Sequence, residues 1–239
     1  DNAIVAAPAK DALSTTTTTT NGNRPTRCGG DTTTACRNGS DILAVRFQGS
    51  SQPNDLTKAD DSMLDCAGEG RAGMSDSDFA RRTLNVFHVA VSTGDVEPSL
   101  RCSVFKEDGN WDDARTLLEG VESLQVLYGT DGVQPGLAPD PDGTDHVADR
   151  WLRADQLTVP GNDAATRANW RRVRAVRIGL VVRGPVGSAI DRVGSTVHPL
   201  GAAFASTSDI GSILNAPADG RLRTTRTITL HLRNDLGMP

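Results

Sequence analysis

The stretch NWRRVRAVRIGLVVRGP, from Asn169 to Pro185, decides the fold of this chain. Its apolar side chains recur at every second position, namely Val176, Ile178, Leu180 and Val182. Arg177 and Arg183 fall on the opposite face, and this two-residue period is that of a β-strand. Gly184 and Pro185 end the strand, because proline cannot donate a hydrogen bond to a sheet. The sequence therefore predicts a central strand with which other strands pair.

A short helix is predicted immediately before this strand. Asn162 and Asp163 are of the residue types that cap helix N-termini, and alanines follow them. We expect Trp170 to anchor the helix against the sheet, because its large ring is best buried there.

Further strands are predicted along the rest of the chain, at Ile42–Gln48, Leu84–Ser92, Leu100–Lys106, Leu124–Tyr128 and Thr224–Asn234. The second of these is apolar on both faces, as is typical of an interior strand. A helical segment is expected after Thr144, with Val147, Ala148, Trp151 and Leu152 on one face. The pattern predicts an α+β, β-rich fold with mostly antiparallel sheets and short helices.

The chain divides into two parts by composition. Residues 1–40 hold a run of six threonines and little periodicity, so we predict a flexible, Thr-rich N-terminal segment. Residues 41–239 are predicted to form one β-rich globular domain. Within it, residues 131–168 and 186–220 are long and lack internal pattern, and we expect these two loops to provide contact surfaces.

The charge balance argues against a nucleic-acid-binding protein. The net charge is −5 and the pI is about 5.4. Four arginines cluster at Arg171, Arg172, Arg174 and Arg177, but no aromatic residues are interleaved among them as stacking on bases requires. A charged strand face explains this cluster better.

The four cysteines favour disulfide bonds over a zinc site, because no C-x-x-C pair is present. Three pairings are possible. We favour Cys28–Cys36, which are close in sequence, together with Cys66–Cys102, each of which borders a predicted strand. The alternative is four reduced, buried cysteines in a cytosolic protein. Disulfides indicate an oxidising compartment.

No local pattern indicates an enzyme. His88, His146, His198 and His231 are scattered, none lies in an H-E-x-x-H motif, and no serine has a G-x-S-x-G frame. His88, between Phe87 and Val89, is expected in the core. We therefore predict no catalytic residues and no cofactor.

One acidic loop is a candidate for calcium. Asp140, Asp142 and Asp145 supply carboxylate oxygens within the run DPDGTD. The run lacks the glutamate and the glycine position of an EF-hand. The alternative is a solvated turn built from the residues that turns favour.

Several motifs in fixed order resemble the PilW family of type IV pilus minor pilins. They are SDILAVRF, Cys66 in DCAG, Cys102 in SLRCSV, LLEGVESLQVLYGTD, RWLRADQL, NWRRVRAVRIGLVVR and TITLHLRN. The resemblance runs from about Ser40 to Asn234. It singles out a set of structural motif residues, namely Tyr128, Gly129, Asp131, Trp170, Val173 and Arg177.

The resemblance implies a pilin-like globular domain from which the N-terminal pilin helix is missing. It further implies a non-enzymatic subunit that helps to prime type IV pilus assembly within a minor-pilin complex at the pilus tip. Its partners would be other minor pilins, a tip adhesin and, through the missing helix, the inner membrane. No nucleic acid is expected to bind this domain.

By the same resemblance, the protein would lie in the periplasm and inner membrane of a Gram-negative bacterium before assembly, and then in the pilus on the cell surface. Two alternatives remain open. One is a J-type pseudopilin of type II secretion, and the other is a secreted β-sandwich module that binds a glycan or another surface ligand.

Overall fold

A computed structural model describes residues 37–73, 83–91, 96–105, 112 and 114–232, and these contain twelve strands and one α-helix. In chain order the strands are β1 (Leu43–Phe47), β2 (Ser51–Gln52), β3 (Asp55–Ala59), β4 (Thr83–Ala90), β5 (Ser99–Phe105), β6 (Arg115–Glu119), β7 (Val121–Thr130), β8 (Arg150–Leu152), β9 (Val173–Arg183), β10 (Ser195–Val197), β11 (Leu214–Ala216) and β12 (Arg223–His231). The helix α1 spans Asp163–Arg171. Every strand pairing in the described residues is antiparallel. The prediction of a strand-rich, mostly antiparallel fold is thus confirmed.

The first sheet has the strand order β1-β4-β5-β6. β4 is an interior strand, as predicted from its apolar sequence, and β5 returns beside it as a hairpin. Cys102 on β5 forms a disulfide with Cys66, with the two Cα atoms 6.4 Å apart, so the favoured Cys66–Cys102 pairing is confirmed. Cys28 and Cys36 lie outside the described residues.

The second sheet has the order β12-β9-β7-β8, so the strand predicted to be central is indeed an interior strand. β7 is buried along its whole length. The part of its edge that β8 does not cover is covered by the chain before β1. There the Asp41 N–H donates to the Leu124 carbonyl (2.7 Å), and the Asp41 carboxylate accepts from the Val126 N–H (2.8 Å).

The hydrophobic core lies between the two sheets. The face of the second sheet that points to the first is called here the inner face, and it presents Leu124, Val126 and Tyr128 from β7 and Val176 from β9. Leu43 and Val89 of the first sheet belong to the same buried cluster. The opposite face of the second sheet is called the outer face.

The predicted helix before β9 is present as α1. The side chain of Asn162 caps it by accepting a hydrogen bond from the Ala165 N–H at 3.0 Å. Trp170 meets Tyr128 edge to face, with ring centroids 4.8 Å apart, and so holds the helix on the sheet as expected.

The helix predicted after Thr144 is wrong. The Thr144 hydroxyl donates instead to Asp131 at 2.7 Å, and no helix begins there. Residues 150–152 form β8, which pairs with the end of β7. Trp151 and Leu152 therefore point to opposite faces of the sheet rather than sharing one helical face.

The predicted division at residue 40 stays a prediction, since residues 1–36 lie outside the described part of the chain. Among the described residues, no helix is long and apolar enough to cross a bilayer.

Candidate functional site

The six motif residues lie together at one end of the second sheet. Strand register places Tyr128 beside Val176, Gly129 beside Ala175 and Leu127 beside Arg177. The 131–168 loop leaves from this end of β7, and the 186–220 loop lies over the outer face of β9. The motif thus forms the base on which both predicted contact loops rest.

Asp131 fixes the start of the first loop. Its buried carboxylate accepts hydrogen bonds from the Thr144 hydroxyl (2.7 Å) and from the backbone N–H groups of Asp145 (3.3 Å) and His146 (3.1 Å). The Arg174 guanidinium on β9 donates to it at 3.1 Å. Burial opposes ionisation, but these donors outweigh it and hold the pKa of Asp131 below its usual value.

The calcium candidate residues point to their own loop. Asp140 accepts a hydrogen bond from the Asp142 N–H at 3.0 Å, and Asp145 accepts one from the Val147 N–H at 2.9 Å. Such bonds are those of Asx turns. Across the described residues, no three His, Cys, Asp or Glu side chains are arranged to hold a metal ion.

Asn169 closes the other side of the first loop. Its side chain is fully buried, and its amide donates to the Leu137 carbonyl (2.8 Å) and to the Leu157 carbonyl (3.0 Å). Arg172 donates to the Asp140 carbonyl at 3.1 Å. Neither role could be predicted from the sequence, because these bonds go to backbone atoms distant in the chain.

Gly129, Trp151 and Arg177 form a layer on the outer face. A Cβ at Gly129 would lie 3.0 Å from the Ala148 Cβ and 3.1 Å from the Trp151 ring, so the glycine lets the ring pack tightly on the sheet. The Arg177 guanidinium stacks on the Trp151 ring at 3.9 Å and faces the Phe204 ring at 5.1 Å. Phe204 belongs to the second loop, so Arg177 joins the two loops.

Val173 and Tyr128 belong to the hydrophobic core of the same sheet. Val173 is buried at the start of β9, paired with Thr130. Tyr128 is buried beneath Trp170, and this burial raises the pKa of its hydroxyl. Both residues have a packing role in this structure.

The second loop is built on the outer face of β9. A Cβ at Gly179 would lie 2.4 Å from the Pro199 carbonyl oxygen, so the glycine allows the loop backbone to contact the strand. β10 and β11 pair within the loop. Outside these two strands the loop presents large apolar side chains to solvent, namely Val186 (67% exposed), Ile190 (100%), Val193 (76%) and Ile210 (52%).

A network of acids and arginines lies at the opposite end of the second sheet. The buried Glu122 carboxylate on β7 accepts from Arg183 of β9 (3.0 Å) and from Arg223 of β12 (2.6 Å). Arg223 also pairs with Asp219 at 2.7 Å, and this hydrogen bond holds the pKa of Asp219 well below its usual range. Arg183 also donates a hydrogen bond to Glu97 and so extends the network.

The sequence interpretation missed this network. A signal was present, since Glu122 is a carboxylate inside a strand that is otherwise apolar and Arg183 lies on the strand that pairs with it. The partner from β12 lies 101 residues along the chain, and no spacing rule links positions so distant.

The histidines do not converge on a site. His88 is fully buried in β4, and its burial lowers the pKa to about 4, although the Val86 backbone partly offsets this effect. His146 lies in the 131–168 loop, His198 in the 186–220 loop and His231 on β12, and no three His, Cys, Asp or Glu side chains of the described residues are grouped to hold a metal ion. His88 therefore has the core position that was predicted for it.

Residues 86–234, more than half of the chain, match the family described as Type IV Pilus-assembly protein W. Among solved structures, a type IV-like pilin from Thermus thermophilus is similar, at 18% sequence identity and a TM-score of 0.40, over 81% of this chain and 78% of that one. No curated protein matches the chain in sequence.

Proposed function

The chain belongs to the PilW family of type IV pilus-assembly proteins, and from this premise we propose that it is a non-enzymatic minor pilin that helps to prime pilus assembly. It acts in a complex with other minor pilins at the pilus tip. In the full-length protein, a preceding apolar helix joins this domain to the inner membrane before assembly.

The observation that carries the proposal is the placement of exposed apolar side chains on firmly held loops. Ile190 is 100% exposed, yet the chain around it is tied down, because the Ala189 N–H donates to the Gly220 carbonyl at 3.1 Å. Exposed apolar side chains on a fixed backbone favour association with another protein, since no ordering of the loop is needed on binding.

The proposal predicts that piliation depends on this loop. Ile190→Glu combined with Val193→Glu should abolish surface pili in the native organism, because two charges would enter an apolar contact. The matched control is Leu56→Glu, a 73% exposed apolar position on the β2–β3 hairpin, which should leave pili unchanged. The melting temperature of each purified domain should stay within a few degrees of wild type.

One outcome would contradict the proposed function, and another would contradict only the assignment of the contact to this loop. Normal piliation in a strain that lacks the whole protein would exclude the priming role. Normal piliation with the loop variant, when deletion of the protein removes pili, would leave the priming role intact and exclude this loop as the contact.

The glycan-binding alternative gains no specific support. Sugar-binding modules stack ligands on exposed aromatic rings, and here the Trp151 ring is covered by Arg177 while the Trp170 ring packs on Tyr128. Trp111 lies outside the described residues.

A further inference from the structure

The outer strand of the second sheet, β12, is an edge with no neighbour on one side. It pairs with β9 along all nine of its residues, and within the described part of the chain no other strand pairs with it. Alternate N–H and C=O groups on its outer side therefore have no backbone partner among the described residues. Nine residues is long for an edge strand left open in this way.

The inner face next to this edge is apolar and becomes exposed toward β12. Each β12 residue on this face continues a row across the sheet: Leu230 lies beside Val176 and then Tyr128, and Ile228 lies beside Ile178 and then Val126. Burial falls along each row, from Tyr128 at 1% exposed to Leu230 at 51%. The first sheet packs over β7 through β4 and β5 and so covers only the inner ends of the rows.

We call this surface the β12 shelf and define it by Ile178, Leu180, Ile228 and Leu230. One charge lies on it. Arg226 is beside Leu180 on the same face as Ile228 and is exposed. Its guanidinium has one weak contact, to the Thr225 carbonyl at 3.4 Å, and no carboxylate among the described residues pairs with it.

We propose that the β12 shelf binds an extended, acidic-apolar segment of another protein, which adds to the second sheet as an antiparallel strand. The segment would alternate apolar residues, which cover Ile228 and Leu230, with one carboxylate that pairs with Arg226. Backbone hydrogen bonds to the open edge supply affinity, and the alternate side chains supply specificity.

A second copy of this chain fits the shelf poorly in the register that would pair all nine residues of the two β12 strands. In the two-fold antiparallel register centred on Thr227, each Arg226 would lie opposite Ile228 of the other copy. The two arginines would then be diagonal neighbours on one face with no carboxylate between them, which is destabilising. The single unpaired cation thus favours a partner of opposite charge.

This inference deepens the proposed function by giving the chemistry of one partner, and it uses the opposite side of the sheet from the 186–220 loop. Its test is therefore independent of that loop. Purified domain is titrated with a capped synthetic peptide, TVTVTET, and with the matched peptide TVTVTKT. In antiparallel register, the glutamate or lysine lies beside Arg226 and the valines lie on Ile228 and Leu230.

We expect the glutamate peptide to bind roughly three- to tenfold more tightly than the lysine peptide, as a cross-strand ion pair replaces a like-charge contact. Arg226→Glu should reverse the preference. Ile228→Ser with Leu230→Ser should weaken both peptides, whereas Ile190→Ala on the other side of the sheet should change neither affinity. Hydrogen exchange should show protection of alternate amides within residues 223–231 only when peptide is bound.

Four outcomes would overturn the inference. Failure of both peptides to bind would exclude strand addition, and equal affinities would exclude the acidic partner. Self-association in sedimentation that Ile228→Glu abolishes would assign the shelf to a second copy. Protection of the outer amides of β12 in the free protein would mean that the chain itself already covers the edge. In each of these cases, loss of surface pili in the variant that carries Ile190→Glu and Val193→Glu would still support the proposed function.

Discussion

The two ends of the second sheet each hold a buried carboxylate bound to arginine, but they use it differently. At one end the Asp131 carboxylate accepts hydrogen bonds from one arginine, Arg174, and from groups of the 131–168 loop. At the other end Glu122 receives two arginines, Arg183 and Arg223, and bonds to no loop backbone.

Asp131 holds a loop in shape, whereas Glu122 joins strands. Glu122, Arg183 and Arg223 come from three neighbouring strands, so their bonds hold β7, β9 and β12 in one sheet. Asp131 and Arg174 join only β7 to β9, and the other donors to Asp131 belong to the loop. We therefore expect loss of Glu122 to weaken the whole domain and loss of Asp131 to disturb the loop first.

The largest effect is expected for Glu122→Ala. It breaks two buried ion pairs at once and leaves Arg183 with Glu97 and Arg223 with Asp219 as remaining carboxylate partners, so the free energy of unfolding should fall by about 4 kcal/mol, within the range for breaking a buried ion pair. Chemical denaturation measures it. Glu119→Ala, at an exposed position on β6, is the control and should change stability by less than about 0.5 kcal/mol. Equal stability of Glu122→Ala and Glu119→Ala would show that Glu122 does not hold the strands of the sheet together.

Asp131→Ala should cost about 3 kcal/mol, the lower end of the same range. Arg174 would keep its hydrogen bond to the Arg171 carbonyl (3.0 Å), so its guanidinium group would still have an acceptor and the loss of Asp131 would cost less. Hydrogen exchange should become fast at the Asp145 and His146 amides, while β7 stays protected. The control is the exposed Asp142→Ala. Uniform loss of protection across the sheet would show that Asp131 acts on the fold rather than on the loop.

Acid unfolding reports on Asp131 separately only after His88 has been removed. Its folded pKa is about 4 against an ordinary value of 6.5, so the unfolded chain binds the proton first. This contribution to stability is complete above pH 6.5 and is lost as the pH falls toward 4, by about 3 kcal/mol.

His88→Phe should therefore flatten the stability curve between pH 6.5 and 4. The pKa of Asp131 is lowered in the fold, so its contribution should be lost only at lower pH, below its ordinary value near 4. Denaturant midpoints measured from pH 7 to pH 3 test both windows. An unchanged slope between pH 6.5 and 4 in His88→Phe would show that His88 is not the group responsible.

The smallest effect is expected for Thr144→Val, which removes one hydrogen bond to Asp131 and keeps the side-chain shape. The cost should be about 1 kcal/mol, with faster exchange confined to the 131–168 loop. Thr158→Val is the control, since Thr158 is exposed in the same loop. A change in the melting temperature as large as that of Asp131→Ala would mean that Thr144, not Arg174, is the main partner of Asp131.

The strands and the helix cap could be predicted because their signals are local. Alternation in β9 and β12, the continuous apolar run of β4 and the Asn162 cap each depend on residues within a few positions. The segment after Thr144 misled the prediction for the same reason. Its helical spacing of Val147, Trp151 and Leu152 is real, but pairing with β7 and the hydrogen bond to Asp131 outweigh local propensity.

What the sequence could not give are contacts between distant positions. Glu122 with Arg223, Asn169 with the Leu137 carbonyl, and Arg177 between Trp151 and Phe204 all depend on the folded register. The two loops were predicted from their length alone, and the glycines that seat them on the sheet, Gly129 and Gly179, gave no signal of that role. The contact function of the loops and of the motif residues stays a prediction.

The late position of Arg223 has a consequence for how the chain matures. Glu122 meets its second arginine only after 101 further residues have been made, and β9 lacks its outer neighbour until β12 has followed. All four strands of the first sheet precede residue 120, whereas the second sheet lacks its outer strand until residues 223–231 have been made. The second sheet can therefore be complete only once the last strand has been made.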